Sequence, residues 1–325
     1  MILAGDVGGT KTRLGLFEPV PVRPRPLAVR IFVTLDFDDL TTMVAAFLED
    51  DAIKGVPIEA ACLGVAGPVT GDVATLTNVP RRVDARRVAT EFKLPRVRLL
   101  NDLQAMAYAV PVLHAAEVHV LQQGQAVSGG NVALIAAGTG LGEGLLQQVD
   151  GRFMASPSEG GHADFAARTE REIGLLRDLI QRYGRADVEH VVSGPGLVNA
   201  HRVTHRGPCG ASIDLADPGA PAVVSASALA RRCDGCVEAL ELFVEAYGAE
   251  AGNLALRTVA TGGVFVGGGI APKILPALTD GRFLRAFREK SPVGPLLEAM
   301  PVKVILNTEA GLLGAAVYAQ LFRQD

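Results

Sequence analysis

Three stretches of this chain gather side chains that can do chemistry. "LLNDLQAM" sets Asn101 beside Asp102 where an apolar run ends and a helical pattern begins. Ligands of α/β sheets bind off the carboxyl ends of strands, so a carboxylate at that point can take a proton from a substrate hydroxyl. It can equally do no more than cap the helix, a duty for which Asp is favoured. On the residues alone both readings stand. "SEGGHADF" holds Glu159 and His162 three residues apart around two glycines. A carboxylate accepts from two neighbours and an imidazole either donates or accepts, so the pair suits a molecule displaying a ring of hydroxyls. "GDVGGTKT" opens the chain with a carboxylate, Asp6, beside backbone stripped of side chains.

That last stretch and two others raise the question of phosphate. A Walker A loop needs Gly, four residues, then Gly-Lys-Ser/Thr, and Thr10 standing between Gly9 and Lys11 breaks it. In "GTGLGEG" the glycines fall at 138, 140, 142 and 144, a period of two that runs into a strand, so it is no dinucleotide fingerprint. What remains is a hairpin turn whose successive N–H groups form an anion nest. Gly5, Asp6, Val7, Gly8, Gly9 and Thr10 make one such turn, and Gly138, Thr139 and Gly140 a second. Gly268 and Gly269 follow a buried strand in "VGGGIAPK". Two turns can grip a polyphosphate from opposite sides. Asp6 beside those phosphates is tolerable with a cation such as Mg2+ between, held through water.

The elements that must position these residues follow from periodicity. "MILAGD" and "TRLGLF" are strands around a tight turn, and "NVALIAAGTGLGEGLLQQV" repeats the arrangement. Strands and helices alternate elsewhere: "DDLTTMVAAFLED" and "DARRVATEFKL" are helical, "IEAACLGVAGPV" and "RVRLL" are strands. The chain is therefore α/β, in two related halves that each begin with a glycine-turned hairpin. Thr169-x-x-Glu172 is a capping box, and Ser193-Gly-Pro195 a helix cap and first turn. "EPVPVRPRP" (18–26) reads as a stiff surface loop.

Composition excludes several classes. Thirty-one basic and 35 acidic residues are mixed throughout, for a net charge of −4, so no basic stripe offers itself to nucleic acid or a membrane surface. No apolar run reaches membrane-helix length and the first residues are no signal peptide, which gives a cytoplasmic expectation. Four cysteines are too few for a disulfide scaffold in 325 residues. Cys233-x-x-Cys236 has a spacing used for redox chemistry or zinc. Leu229, Cys233, Cys236, Val237, Leu240 and Phe243 recur at helical steps, which assigns both thiols to a buried stripe. With no second ligand pair nearby in sequence, core packing is expected.

The order of "LAGDVGGTKTRLGLF", "LGVAGPV", "LTN", "LLNDLQAMAYAVP", "AAGTGLGEGLL", "SEGGHADFA", "VEHVVSGPGL" and "VGGGIAPK" resembles that of the bacterial glucokinases over nearly the whole chain. The resemblance implies the actin-like, ribonuclease H-like ATPase fold of hexokinase type, two α/β domains with a cleft between them. Residues 1–112 plus about 306–325 would form the small domain and 113–305 the large one. It implies ATP, Mg2+ and glucose, with Asp102 as the catalytic base that accepts the proton of the sugar's 6-hydroxyl. A helix N-terminus is expected to keep that carboxylate ionised and weakly basic. Asn101, Asp102, Glu159, His162 and Glu189 become sugar contacts, Glu189 on the resemblance alone. A homodimer is also implied.

Two residues depart from the pattern. Lys11 stands where asparagine is common after the first glycine turn, which leaves the phosphoryl donor open, and Arg81 stands where an aromatic residue often follows Thr-Asn, which leaves the hexose open among glucose, mannose, fructose and amino sugars. A related sugar-kinase group follows a similar Gly-Gly-His with a cysteine-rich zinc motif. "HADFAARTERE" has no cysteine, so His162 is free for sugar and zinc is not expected. A sugar-responsive regulator of the same fold would need a helix-turn-helix, yet residue 5 already lies in the first hairpin. A filament- or chaperone-type ATPase would leave Glu159, His162 and Asn101-Asp102 without a task.

Overall fold

Ile2, Leu3, Ala4 and Val7 of β1 (Ile2–Val7) are all buried, as a strand with partners on both sides and helices over the sheet requires. In the computed structural model, every residue of the chain is described except Asn78, Arg206, Pro208, Ala211, Ser212, Gln324 and Asp325. The "LTN" motif thus lies partly outside the described residues. The chain divides into two compact units, Met1–His114 with Phe153–Pro157 and Asn307–Asp325, and Ala115–Arg152 with Ser158–Leu306.

In the first unit, β1 turns at residues 8–10 and returns antiparallel as β2 (Lys11–Glu18), with Val7 opposite Thr12 and Asp6 opposite Arg13. β3 (Arg25–Val33) adds an antiparallel edge to β2. Its first residues, Arg25 and Pro26, belong to the stretch 18–26 that the sequence reads as loop. An edge strand accommodates Pro because it has no second ladder to serve, and the register shifts where Pro26 meets Phe17. α1 (Leu40–Leu48) starts at Asp39, whose side chain accepts from the Thr42 N–H. β4 (Ala60–Val65) runs parallel to β1, and after α2 (Ala85–Glu91) β5 (Val97–Asn101) runs parallel to β4. α3 (Asp102–Ala109) follows at once. The sheet order is β3-β2-β1-β4-β5.

The second unit repeats this scheme. β6 (Val118–Gln122) is followed by β7 (Val132–Ala137), a turn at 138–140, and antiparallel β8 (Leu141–Val149). α4 (Glu170–Tyr183) carries the expected capping box, and α5 (Gly194–Thr204) the expected Ser193 cap. α6 (Ala220–Leu229) and α7 (Asp234–Thr258) precede β9 (Gly263–Gly267) and β10 (Val302–Ile305), which continue the sheet in parallel beside β7. Five of the sheet's six strands lie in the order β8-β7-β9-β10-β6. A hairpin joined to two parallel strands is thus built twice, and each sheet has its own apolar core.

The chain returns to the first unit as α8 (Ala310–Phe322), packed on α3 and β1. Its approach is close because Gly314 has no side chain: a Cβ there would stand 1.7 Å from the Ala105 carbonyl oxygen. Residues of 153–157 also bind this unit, since Gln104 donates to the Ala155 carbonyl and the Ala155 N–H to the Tyr108 hydroxyl. Among the described residues no helix is long and apolar enough to cross a membrane.

One expectation fails in the second unit. Cys233 is the residue before α7 rather than part of its buried stripe, and it is only partly buried. Cys209 lies against both members of the pair, 3.8 Å from Cys233 and 3.7 Å from Cys236 between sulfurs. The chain folds a distant thiol onto the Cys-x-x-Cys spacing.

Candidate active site

In the first unit the site grows from the ends of β1 and β5. Asn101 is the N-cap of α3: its Oδ1 accepts from the Leu103 N–H at 3.0 Å, and its Nδ2 donates to the Gly67 carbonyl at 3.2 Å. The capping duty falls to Asn101, and Asp102 becomes the first helical residue. Asp102 Oδ1 also accepts from Leu103 N–H, at 2.8 Å. The expectation of a weakly basic, readily ionised Asp102 is reversed. Burial pushes its carboxyl up to about 6, against the opposing pull of the Leu103 N–H, and the charge of Asp6 adds to the rise. Desolvation outweighs the helix terminus here.

Asp6 is itself raised by burial, opposed by Arg13, whose Nη1 stands 3.4 Å from Asp6 Oδ2. Gly311 at the start of α8 makes room for it, since a Cβ there would lie 3.3 Å from the Asp6 carboxyl carbon. The turn beside it is pinned by Thr34, whose hydroxyl donates to the Gly8 carbonyl at 2.7 Å and whose N–H donates to Thr10 O. Gly8, Gly9 and Thr10 reach the surface. Gly5 and Val7 do not: a Cβ on Gly5 would lie 2.5 Å from Leu63 Cδ2, and Val7 is in the core. Their glycine and valine character answers to packing, which the sequence pattern alone conflates with ligand approach.

In the second unit the turn after β7 has the same form. Gly138 N–H donates to Gly140 O at 2.8 Å, as Gly8 N–H donates to Lys11 O in the first turn. In both turns the first glycine amide therefore closes the hairpin and is not free for an anion. Gly268, at φ +83°, sits so close to the end of β7 that a Cβ would fall 2.2 Å from the Ala137 carbonyl oxygen. Gly269 beside it is open. Residues 138–140 and 268–269 are thus brought together. The N-terminus of α5 joins them, because Gly194 N–H donates to Gly138 O. That arrangement of glycine turns and a helix start is suited to anions.

Glu189 and the Gly-Gly-His segment meet on the same β8 edge. Glu189 Oε2 accepts from the Leu141 N–H at 2.7 Å, and the Glu189 N–H donates to Gly161 O at 2.8 Å. A side chain at 161 is excluded, since its Cβ would lie 2.2 Å from Leu141 O, and one at 160 would have to displace the Glu143 carboxylate, 2.2 Å from its Cβ. Glu159 and His162 flank this bare segment and are exposed. His162 Nδ1 lies 3.1 Å from Asp187 Oδ2, and that hydrogen bond raises the imidazole above its ordinary value. Asp187, buried and fixed through its Oδ1 by the His190 N–H, was missed from sequence. Its only signal was its place two residues before Glu189 in "RADVEH".

The glucokinase family profile matches residues 3–322. The chain belongs to the glucokinase family. A glucokinase of Nostoc punctiforme is 40% identical over 98% of both chains, and one of Yersinia pestis 35% identical over 97% of this chain and 95% of its own. The crystal structure of a glucokinase from an Antarctic psychrotroph superposes with a TM-score of 0.87, at 28% identity and 98% coverage of each chain. A more distant one, a glucokinase from Streptomyces griseus in complex with glucose and AMPPNP, has a TM-score of 0.65 at 22% identity, covering 98% of this chain and 99% of that one. The fold is accordingly the actin-like ATPase fold of sugar kinases. As a member of the glucokinase family, the protein is an enzyme that phosphorylates sugar.

Proposed function

We propose that the protein transfers the γ-phosphoryl group of ATP to the 6-hydroxyl of glucose, with Asp102 as the general base. The observation that carries this reading is the Asp102 carboxyl at the start of α3, pushed up to about 6 by burial and by Asp6. A base whose affinity for a proton lies near the working pH is more effective than an ordinary carboxylate. Asp102 takes the proton from the sugar oxygen as that oxygen attacks the γ-phosphorus and the bond to the β,γ-bridging oxygen breaks. Because phosphoryl transfer proceeds through a loose transition state, most of the remaining work is positioning and charge neutralisation.

Asn101, Glu159, His162 and Glu189 bond the sugar's other hydroxyls. His162 would donate Nδ1–H to Asp187, which leaves Nε2 to accept from a hydroxyl. Glu189 keeps one carboxylate oxygen on Leu141 N–H and has the other for the sugar. The phosphate tail rests on Gly9, Thr10, Thr139, Gly140 and Gly269, with Gly8, Gly138 and Gly268 shaping the backbone.

Asp6 fits a hydrated Mg2+. It is a desolvated carboxylate whose neighbouring cation, Arg13, is at the limit of hydrogen-bond reach. When bound, the ion would neutralise charge on the β- and γ-phosphates. ADP release measured across glucose, mannose, fructose and glucosamine tests the substrate. Turnover fastest with glucose is expected, and preference for another sugar refutes that part of the reading.

A further inference from the structure

Five groups with lone pairs for a metal crowd the far end of α5. They are His201 and His205 at its last turn, Cys209 beyond it, and Cys233 and Cys236 at the start of α7. Ligand atoms of His201, His205, Cys209 and Cys236 all lie within 4.8 Å of one another. Around them, Cys209 Sγ is 3.8 Å from Cys233 Sγ and 3.7 Å from Cys236 Sγ. His205 Nε2 is 3.2 Å from Cys233 Sγ and 3.9 Å from Cys236 Sγ.

These four separations fit four of the six edges of a metal tetrahedron. With Zn–S near 2.3 Å and Zn–N near 2.05 Å, tetrahedral angles require S···S edges of about 3.8 Å and N···S edges of about 3.6 Å. Both sulfur edges match, and the two nitrogen edges straddle their value. Thiols packed as ordinary core have no reason to converge on one point at this spacing.

The surroundings are built for the same end. His205 Nδ1 lies 2.8 Å from the His201 carbonyl oxygen, which can only accept, so the proton sits on Nδ1 and the lone pair on Nε2 faces the sulfurs. A metal-binding histidine is oriented in that way by a partner on its other nitrogen. Gly235, inside the Cys-x-x-Cys turn, is obligatory, because a Cβ there would lie 2.6 Å from His205 Cε1. Thr204 Oγ1 ties the end of α5 to the same turn by donating to Gly235 O at 2.7 Å. Finally, His201 is buried, stacks on His205 with 3.6 Å between centroids, and has no partner among the described residues for either ring nitrogen.

We propose that Cys209, Cys233, Cys236 and His205 hold one zinc ion in a closed, structural site. Three thiolates and an imidazole are the donor set that selects zinc over magnesium or calcium. With all four positions filled by protein, no place is left for water or substrate, so the ion has no part in phosphoryl transfer. Its effect is to fasten the end of α5 to the start of α7. The other end of α5 begins at Ser193, whose hydroxyl donates to the Glu189 carbonyl, so the ion anchors the helix whose cap holds the Glu189 backbone.

The test is metal content and coordination. The full-length enzyme, purified under reducing conditions, would be loaded with zinc, desalted against a weak competing chelator, and measured by inductively coupled plasma mass spectrometry. Close to one zinc per chain is expected, with three sulfurs and one nitrogen by X-ray absorption. A Cys209→Ser, Cys236→Ser double variant should keep less than a tenth of that. Because this variant can fail to fold, the unmutated enzyme loaded with cobalt supplies a second readout: the intense visible absorption of tetrahedral Co2+ with a thiolate charge-transfer band. Zinc absent from the loaded enzyme, equal zinc in the double variant, an octahedral cobalt spectrum, or a disulfide among these cysteines in the reduced protein each overturns the proposal.

Discussion

Asp102 supplies the sharpest prediction, because two unrelated measurements must move together. Its carboxyl is raised from an ordinary 3.8 to about 6, chiefly by burial. As a base it must be ionised, so kcat/KM for sugar should fall on acidification with a midpoint near pH 6. At pH 5 about a tenth of the neutral value remains, where an ordinary aspartate would still be more than nine-tenths ionised. The same shift acts on stability. The folded state holds the proton up to about pH 6 and the unfolded chain releases it near pH 4, so between them the folded state binds more protons. Stability therefore declines as pH rises through that window, and the penalty is complete above pH 6. A shift of two units corresponds to about 3 kcal/mol, and partial exposure of the residue reduces this to about 1–3 kcal/mol.

Asp102→Asn removes both effects. It should lower kcat by about two to four orders of magnitude, the scale of lost general-base catalysis. It should also be more stable than the parent at pH 8 by about 1–3 kcal/mol and gain nothing at pH 4. Discontinuous ADP assays from pH 5 to 8.5 and urea unfolding at both pH values measure the two. Removing the neighbouring charge with Asp6→Asn should move the acid limb of the unliganded enzyme downward. An activity profile flat to pH 5 refutes the burial argument. An Asn variant within tenfold of the parent refutes the assignment of the base.

Three further outcomes are expected. Asp187→Asn deprives His162 of its carboxylate, so the imidazole titrates lower by NMR and KM for sugar rises about ten- to a hundredfold with kcat changed less, the scale of a hydrogen bond to a charged group. Glu143, buried beneath the Gly-Gly-His segment, is pushed up to about 7 by burial and by the charge of Glu250 against the pull of Arg257. Its ionised form is a burden above pH 7, so the urea midpoint of Glu143→Gln should exceed the parent's at pH 8.5 and not at pH 4. Ser193→Ala loses both the α5 cap and the hydrogen bond to Glu189 O; denaturant melts should show about 1 kcal/mol lost, with a lower kcat/KM.

The parts of the fold that were legible in the sequence are those fixed by local pattern. The two glycine-turned hairpins, the capping box at Thr169 and the strand-to-helix junction at 101–102 each carry their signal within a few residues. The start of β3 escaped because Pro26 and the prolines just before it read as loop, and only the exposed edge of β2 makes a strand of it. Asp187 escaped because an acid in a polar stretch is unremarkable until the fold carries His162 to it. Cys209 and His205 escaped for the same reason, at 24 and 28 residues from Cys233. The acidity of Asp102 was misread because a helix terminus is visible in sequence and the degree of burial around it is not.

The glycines show where such reading reaches its limit. A bare backbone position signals that something approaches closely, but not whether the visitor is a ligand or the protein itself. At Gly9 and Gly269 the space is open or reaches solvent, and a phosphate can fill it. Elsewhere the space is already taken, at Gly5 by Leu63, at Gly268 by the Ala137 carbonyl, and at Gly140 by Glu189 Oε2, 2.5 Å from where a Cβ would be. Gly140 is the informative case, because its occupant is a carboxylate proposed to bind sugar. The turn suited to phosphate and the acid suited to hydroxyls share one contact, so a methyl group at 140 cannot disturb one without the other. Gly140→Ala should therefore raise KM for ATP and for sugar together, while Thr139→Ala, one residue away and exposed, should affect ATP alone. Separate effects on the two substrates in Gly140→Ala would mean that Glu189 does not read the sugar.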